Sequence, residues 1–228
     1  MKIAWLIGIV WVSISSFNSL AQEEQEQLEK EVITGKPFPP GFGVERSSIS
    51  PNKRYGVLVP LDFDYYDDSR PQNELVEVES GRTLVLIKAE TGKAGFMNHG
   101  GILASRWSTD SSLLLWQVAG KWAQRACVLV KIDNGKVKWQ RDLLKLARGA
   151  ILARMRKHLP KEDAAGAALN VEVSGKDDEP LSLPLALHAT FDTHPKAVEP
   201  PPKDRLYSEM DAMVDAQGKL TVKNFRTE

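Results

Sequence analysis

Apolar residues in this chain fall in short runs separated by Ser, Asn, Asp, Gly and Pro, the rhythm of β-strands joined by tight turns. Tyr55 to Val59 and Leu113 to Val118 are rich in β-forming residues, and each follows a polar turn. Two longer stretches, Leu75 to Ile87 and Val128 to Gln140, read as hairpins that reverse at Gly81 and Gly135, where a tight turn needs positive φ. From Arg141 the period becomes helical. Leu144, Ala147, Ile151 and Met155 form one stripe, Leu143, Leu146 and Leu159 lie beside it, and Pro160 ends it. The spacing predicts one amphipathic helix over 141–160 whose apolar stripe covers a sheet. Beyond the small residues Ala164 to Ala168, strands are expected at Asn170 to Ser174, Leu183 to Phe191, Glu209 to Val214 and Leu220 to Phe225. Asp215-Ala216-Gln217-Gly218 turns the last pair, and Pro200 to Pro202 form a stiff connector, so 168–228 reads as a C-terminal β unit.

The first two strand groups repeat. Ser50 and Asn52 match Ser108 and Asp110, 58 residues on (108 − 50), and Gly81 matches Gly135, 54 residues on (135 − 81). Two features recurring at nearly one period imply two related β modules over 46–140, divided near residue 100. A Ser-Pro-Asp-Gly-like turn, a strand, then a hairpin ending in Thr-Gly-Lys or Asn-Gly-Lys resembles the WD40-like blade of periplasmic β-propellers. The resemblance covers about 95 residues. It departs from the family at Asn52-Lys53 and Asp110-Ser111, where Asp-Gly is favoured. Closed propellers need at least about four blades, and two copies are visible. The expected fold is therefore mainly β with one long helix, α+β in class, its antiparallel blade-like sheets open or packed as a sandwich and not closed into a propeller.

The N-terminus sets the expected compartment. Lys2, an apolar run from Ile3 to Ile14, and small residues Ser19 and Ala21 before Gln22 follow the plan of a secretory signal peptide over 1–21. The run is shorter than the roughly 18–20 residues of a membrane span, so the expectation is cleavage and a soluble periplasmic or extracellular protein. Residues 22–45 begin with QEEQEQLEKEV and continue with Pro37, Pro39, Pro40, Gly41 and Gly43, which reads as a disordered or extended linker. The 30 basic residues balance 30 acidic ones, which gives no footprint for nucleic acid. Cys127 is the single cysteine, so no intramolecular disulfide forms and stability must come from packing.

Candidate chemistry is sparse. In LALHATFDTH, Leu185, Leu187, Ala189 and Phe191 alternate with His188, Thr190, Asp192 and His194, so the polar set shares one strand face. His188 and His194 would stand roughly 20 Å apart at about 3.3 Å per residue, too far to share an ion. Asp192 and His194 are the zinc-ligand candidates, needing another ligand from a neighbouring strand. Asp62, Asp64, Asp67 and Asp68 form a calcium candidate that lacks the glycine and terminal glutamate of an EF-hand loop; an exposed acidic loop is the simpler reading. On the helix, Arg141, Lys145, Arg148, Arg154, Arg156 and Lys157 face Asp142 alone, a basic surface suited to an anionic membrane or acidic partner, or to plain solvation. Of Trp107, Trp116, Trp122 and Trp139, the first two are expected in the core and Trp122 exposed as a binding residue. Cys127 reads as a buried small hydrophobe. No nucleophile elbow, phosphate loop or His-Glu-x-x-His pair occurs.

These readings lead to an exported, non-catalytic binding or scaffold protein with no cofactor, whose partner is a protein or envelope component engaging sheet edges or loops. Open edges also raise the expectation of self-association. The alternatives are a metal-dependent enzyme built on Asp192 and His194 with the acidic loop, and a membrane-surface protein docked by the basic helix.

Overall fold

The computed structural model describes residues 32–61, 73–88, 102–119, 123–155, 167–176, 178–193 and 206–227. They form three antiparallel sheets and one helix, in keeping with a mainly β chain whose sheets do not close. The first sheet runs in chain order through β1 (Val32–Ile33), β2 (Phe42–Glu45), β3 (Tyr55–Pro60), β4 (Glu74–Glu77) and β5 (Arg82–Leu86). The second contains β6 (Ile102–Trp107), β7 (Leu113–Val118), β8 (Ala126–Asp133) and β9 (Lys136–Asp142). Helix α1 (Leu143–Met155) follows, and then the third sheet: β10 (Ala168–Val173), β11 (Leu185–Asp192), β12 (Tyr207–Val214) and β13 (Leu220–Thr227). Each sheet is a meander in which every strand pairs with its successor.

The duplicated turn repeats atom by atom. Ser50 N donates to Tyr55 O at 2.8 Å and Ser108 N to Leu113 O at 2.9 Å; Ser50 Oγ accepts from Tyr55 N and Ser108 Oγ from Leu113 N, both at 2.9 Å. Each serine hydroxyl donates to the residue two places on, Asn52 Oδ1 at 2.8 Å and Asp110 Oδ1 at 2.6 Å. The next residue is left-handed in both copies, Lys53 at φ 60° and Ser111 at φ 58°, a region that non-glycine residues adopt uncommonly. Even the closure to the following strand recurs, Val78 N to Arg54 O at 2.9 Å and Ile132 N to Ser112 O at 2.7 Å. The two turns touch through Asn52 N and Ser111 Oγ at 3.0 Å.

The second sheet lies in the middle, and this explains why β7 reads as an unbroken apolar run. Leu114, Trp116 and Val118 join Val128, Val130 and Ile132 in a core shared with Tyr55, Val57, Val59 and Leu75 of the first sheet. Leu113 and Leu115 face the other way, with Cys127 and Leu129, into a core shared with α1 and the third sheet. Burial on both faces removes the polar alternation that a half-exposed strand would show. Fully burying each Leu or Val contributes about 1.5–3 kcal/mol relative to exposure. Trp107 and Trp116 are core residues as expected, and Cys127 is fully buried.

Residues 32–45, expected as a linker, instead supply β1 and β2. Phe38 and Val44 pack with Leu58 and Val76 on the outer face of the first sheet, so apolar anchors spaced among the Pro and Gly residues hold this segment in place. The helix also begins later than expected. Arg141 and Asp142 belong to β9, and Asp142 Oδ1 accepts from Lys145 N at 3.0 Å, capping the first turn. Leu143, Leu144, Ala147, Ile151 and Met155 are buried, and the stripe covers both the second and third sheets rather than one. Residues 156–160 of the expected helix lie outside the described set.

Candidate functional site

The third sheet ends the stack. Its strands alternate cleanly: Leu185, Leu187, Ala189 and Phe191 on β11 and Ser208, Met210, Ala212 and Val214 on β12 are buried toward α1, and the residues between them are half-exposed. On that outer face Glu172, His188, Asp211 and Asn224 stand opposite one another across four strands. His188 Nδ1 lies 2.8 Å from Asp211 Oδ1, and Asn224 Nδ2 donates to Asp211 Oδ2 at 3.2 Å. The hydrogen bond to His188, then that to Asn224, holds the Asp211 carboxyl below its ordinary range. With Nδ1 engaged, Nε2 is the imidazole atom left for a ligand. The side chains of His188 and Asp211 are 36% and 41% exposed, so solvent screens the pair and it orients more than it stabilises.

Beside this row lies a hollow of about 360 Å³ with Ala186 and Met213 among its floor residues and Glu172, His188, Asp211 and Lys223 around it. The small side chain of Ala186 between longer neighbours leaves the depression. Ser174 Oγ, at the same place, donates to Ala186 O at 3.0 Å. The face therefore combines carboxylates, an imidazole and an ammonium over a small apolar floor, a surface that can accept hydrogen bonds from a polar or cationic group and seat an apolar one.

The edges of this sheet are guarded. Gln124 Oε1 accepts from Val171 N at 2.9 Å, Gln117 Nε2 donates to Val171 O at 3.2 Å, and Gln124 N donates to Asn170 Oδ1 at 2.9 Å, which occupies the free side of β10. On β13 a bulge places Lys223 as the extra residue opposite Asp211 and Ala212, and Arg226 pairs with Glu209 at 3.1 Å. A bulge and basic residues on an edge oppose further strand pairing.

The expected site residues scatter. Asp192 closes β11, half-buried, while His194, Asp62, Asp64, Asp67, Asp68, Trp122, Arg156 and Lys157 lie outside the described residues. Among the described residues no group of three His, Cys, Asp or Glu side chains could hold a metal ion. Arg148 and Arg154 are turned to internal use: their guanidinium carbons lie 5.9 Å from the ring centroids of Phe191 and Phe225. Arg141 lies over Trp139 and donates to Gly218 O at 3.1 Å, joining the second sheet to the last hairpin. No helix among the described residues is long and apolar enough to cross a membrane.

Asp211 and Glu172 were not singled out in the sequence. Along its own strand His188 groups with Asp192 and His194, whereas its partners stand across the sheet, at separations that only the strand register reveals. No protein-family model matches this chain, and no curated protein is similar to it.

Proposed function

We propose that this chain is an exported, non-catalytic β-rich binding protein that presents the outer face of its third sheet to a protein or envelope component. The carrying observation is the exposed row Glu172, His188, Asp211 and Asn224 beside the Ala186 and Met213 hollow, on a sheet whose other face is buried. A face so divided suits a partner that brings polar groups to the row and an apolar group to the hollow. The guarded edges favour docking on the face over strand addition. The blade-like modules ally it with repeat scaffolds of the WD40-like kind. The leader over 1–21 supports export, with the mature chain beginning at Gln22.

The test has two arms. N-terminal sequencing of the protein from the exported fraction should begin at Gln22, and recovery of an intact leader in the cytoplasm would refute export. A Glu172→Lys and Asp211→Lys variant with unchanged circular dichroism should lose the partner captured by the unaltered protein. Equal capture by both would refute the assigned face.

A further inference from the structure

The two modules share a turn but not the charges beside it. In the first, Glu77 of β4 stands opposite Tyr55 and is closed by two arginines, Arg54 Nε at 3.0 Å and Arg82 Nε at 3.5 Å. In the second, Lys131 holds the same register position, opposite Leu113, while Ser112 stands where Arg54 does and Lys136 where Arg82 does. The carboxylate has become an ammonium, and no acidic residue has replaced the arginines. Lys131 Nζ donates to Ser112 Oγ at 2.6 Å and forms no direct ion pair with a carboxylate among the described residues. An ammonium carries three donors, so two remain. Ser112 Oγ in turn donates to Asp110 Oδ1 at 2.6 Å, so a single hydroxyl separates a positive group from a negative one. Ser108 and then Ser112 hold the Asp110 carboxyl at about 2, which keeps it charged at neutral pH.

Both charges border a hollow of about 410 Å³ where the second module meets the connections of the third sheet. In the first module the matching surface is occupied, because Ser111 of the second turn reaches Asn52 N at 3.0 Å. The third sheet brings no further copy of the turn, and Leu181 and Leu183 of the 174–184 connection line the hollow instead, with Leu113. We propose that this hollow binds a free apolar α-amino acid as its zwitterion, the ligand carboxylate on Lys131 and the ligand ammonium on Asp110. The ligand carries its two charges side by side, as the hollow does across one hydroxyl. A simple anion would meet Asp110 and a simple cation would meet Lys131, whereas a zwitterion finds an opposite charge at each end. Thr109, exposed at the rim, adds a hydroxyl, and the three leucines give the ligand side chain an apolar wall. The volume falls within the roughly 300–1,000 Å³ of small-molecule sites. This site shares no residue with the row on the third-sheet face and stands or falls without it.

The probe is L-leucine, titrated into the purified chain while backbone amide shifts are followed by NMR. N-acetyl-leucine, which lacks the ammonium, and leucinamide, which lacks the carboxylate, are the controls. Saturable shifts at Thr109, Ser112 and Ser182 are expected with leucine, and each control should bind at least about tenfold more weakly, since each loses a charge-assisted hydrogen bond. Asp110→Asn should keep the fold, because Asn52 Oδ1 accepts from Ser50 Oγ at 2.8 Å in the first turn as Asp110 does from Ser108, and it should weaken leucine about tenfold. Lys131→Met, at a half-exposed position, should also fold and weaken leucine about tenfold. Absence of shifts at millimolar leucine, binding of either control as tight as leucine, or unchanged affinity in either folded variant would each overturn the proposal. Shifts confined to Glu172, His188 and Asp211 would place leucine on the third-sheet face and overturn it as well.

Discussion

Replacing Ser108 by Ala should remove a defined part of the stability of the second module, and replacing Ser50 should remove the same part from the first. Ser108 Oγ accepts from Leu113 N at 2.9 Å and from Ser112 N at 3.1 Å. Ser112 N keeps a second acceptor in Asp110 Oδ1 at 3.1 Å, so the loss falls on Leu113 N, in a residue 2% exposed. Ser50 Oγ accepts from Tyr55 N at 2.9 Å while Arg54 N retains Asn52 Oδ1 at 3.0 Å, so the same single donor is orphaned. A buried unsatisfied N–H costs about 1–3 kcal/mol. At about 2–4 °C per kcal/mol for a chain of this size, a loss near 2 kcal/mol lowers Tm by about 4–8 °C. Urea unfolding followed by tryptophan fluorescence measures it, with Lys138→Ala, at an exposed position of β9, as a control expected within about 0.5 kcal/mol of the unaltered protein. Because the turns meet at Asn52 and Ser111, the double variant should show coupling of about 0.5 kcal/mol or more. If both single variants match the Lys138 control, or only one of them is destabilised, the two turns are not equivalent structural units.

Three other outcomes follow from the same contacts. Gly218 sits at φ 74°, and a Cβ there would approach Arg141 Cγ to 2.8 Å, so Gly218→Ala should cost about 1–2 kcal/mol in backbone strain; Gly149→Ala, in the helix with open space around it, should stabilise by about 0.5–1 kcal/mol. The Asp110 carboxyl, held down by Ser108 and then Ser112, should titrate at about 2. Because its folded pKa is depressed, its contribution is present above the ordinary carboxylate range and fades as pH falls toward about 2; in Ser108→Ala, carboxyl NMR should find the titration moved back up. Cys127 is fully buried and burial pushes its thiol pKa up, so native protein should resist iodoacetamide at mildly alkaline pH and react in urea; rapid native alkylation would contradict its placement.

The parts legible in the sequence were those in which a particular side chain has a local bonding duty. Ser50 and Ser108 each serve a backbone donor five residues on, and Gly81 and Gly135 take positive φ in hairpins, so their recurrence marks recurring geometry. Lys53 and Ser111 obscure the pattern because they fill left-handed positions with non-glycine residues. The third sheet repeats the four-stranded meander, but its first two strands are joined by the long 174–184 connection instead of a Ser-x-Asn or Ser-x-Asp turn, and α1 separates it from the second. Its likeness to the second sheet is therefore one of strand order, which no local pattern carries. The polar face of β11 was legible as a face, but the pairing of His188 with Asp211 depends on register between distant strands.

The most direct test of the proposed role is a photocrosslinking comparison in the producing cell. A photoreactive residue is placed at Thr190 or Met213 on the outer face of the third sheet, and at Lys138 on the exposed side of β9 as a control. The account predicts one discrete adduct from Thr190 and Met213, absent from Lys138 and lost when Glu172 and Asp211 are both changed to Lys. Adducts of equal yield from all three positions, or none from Thr190 and Met213, would contradict the claim that this face receives the partner.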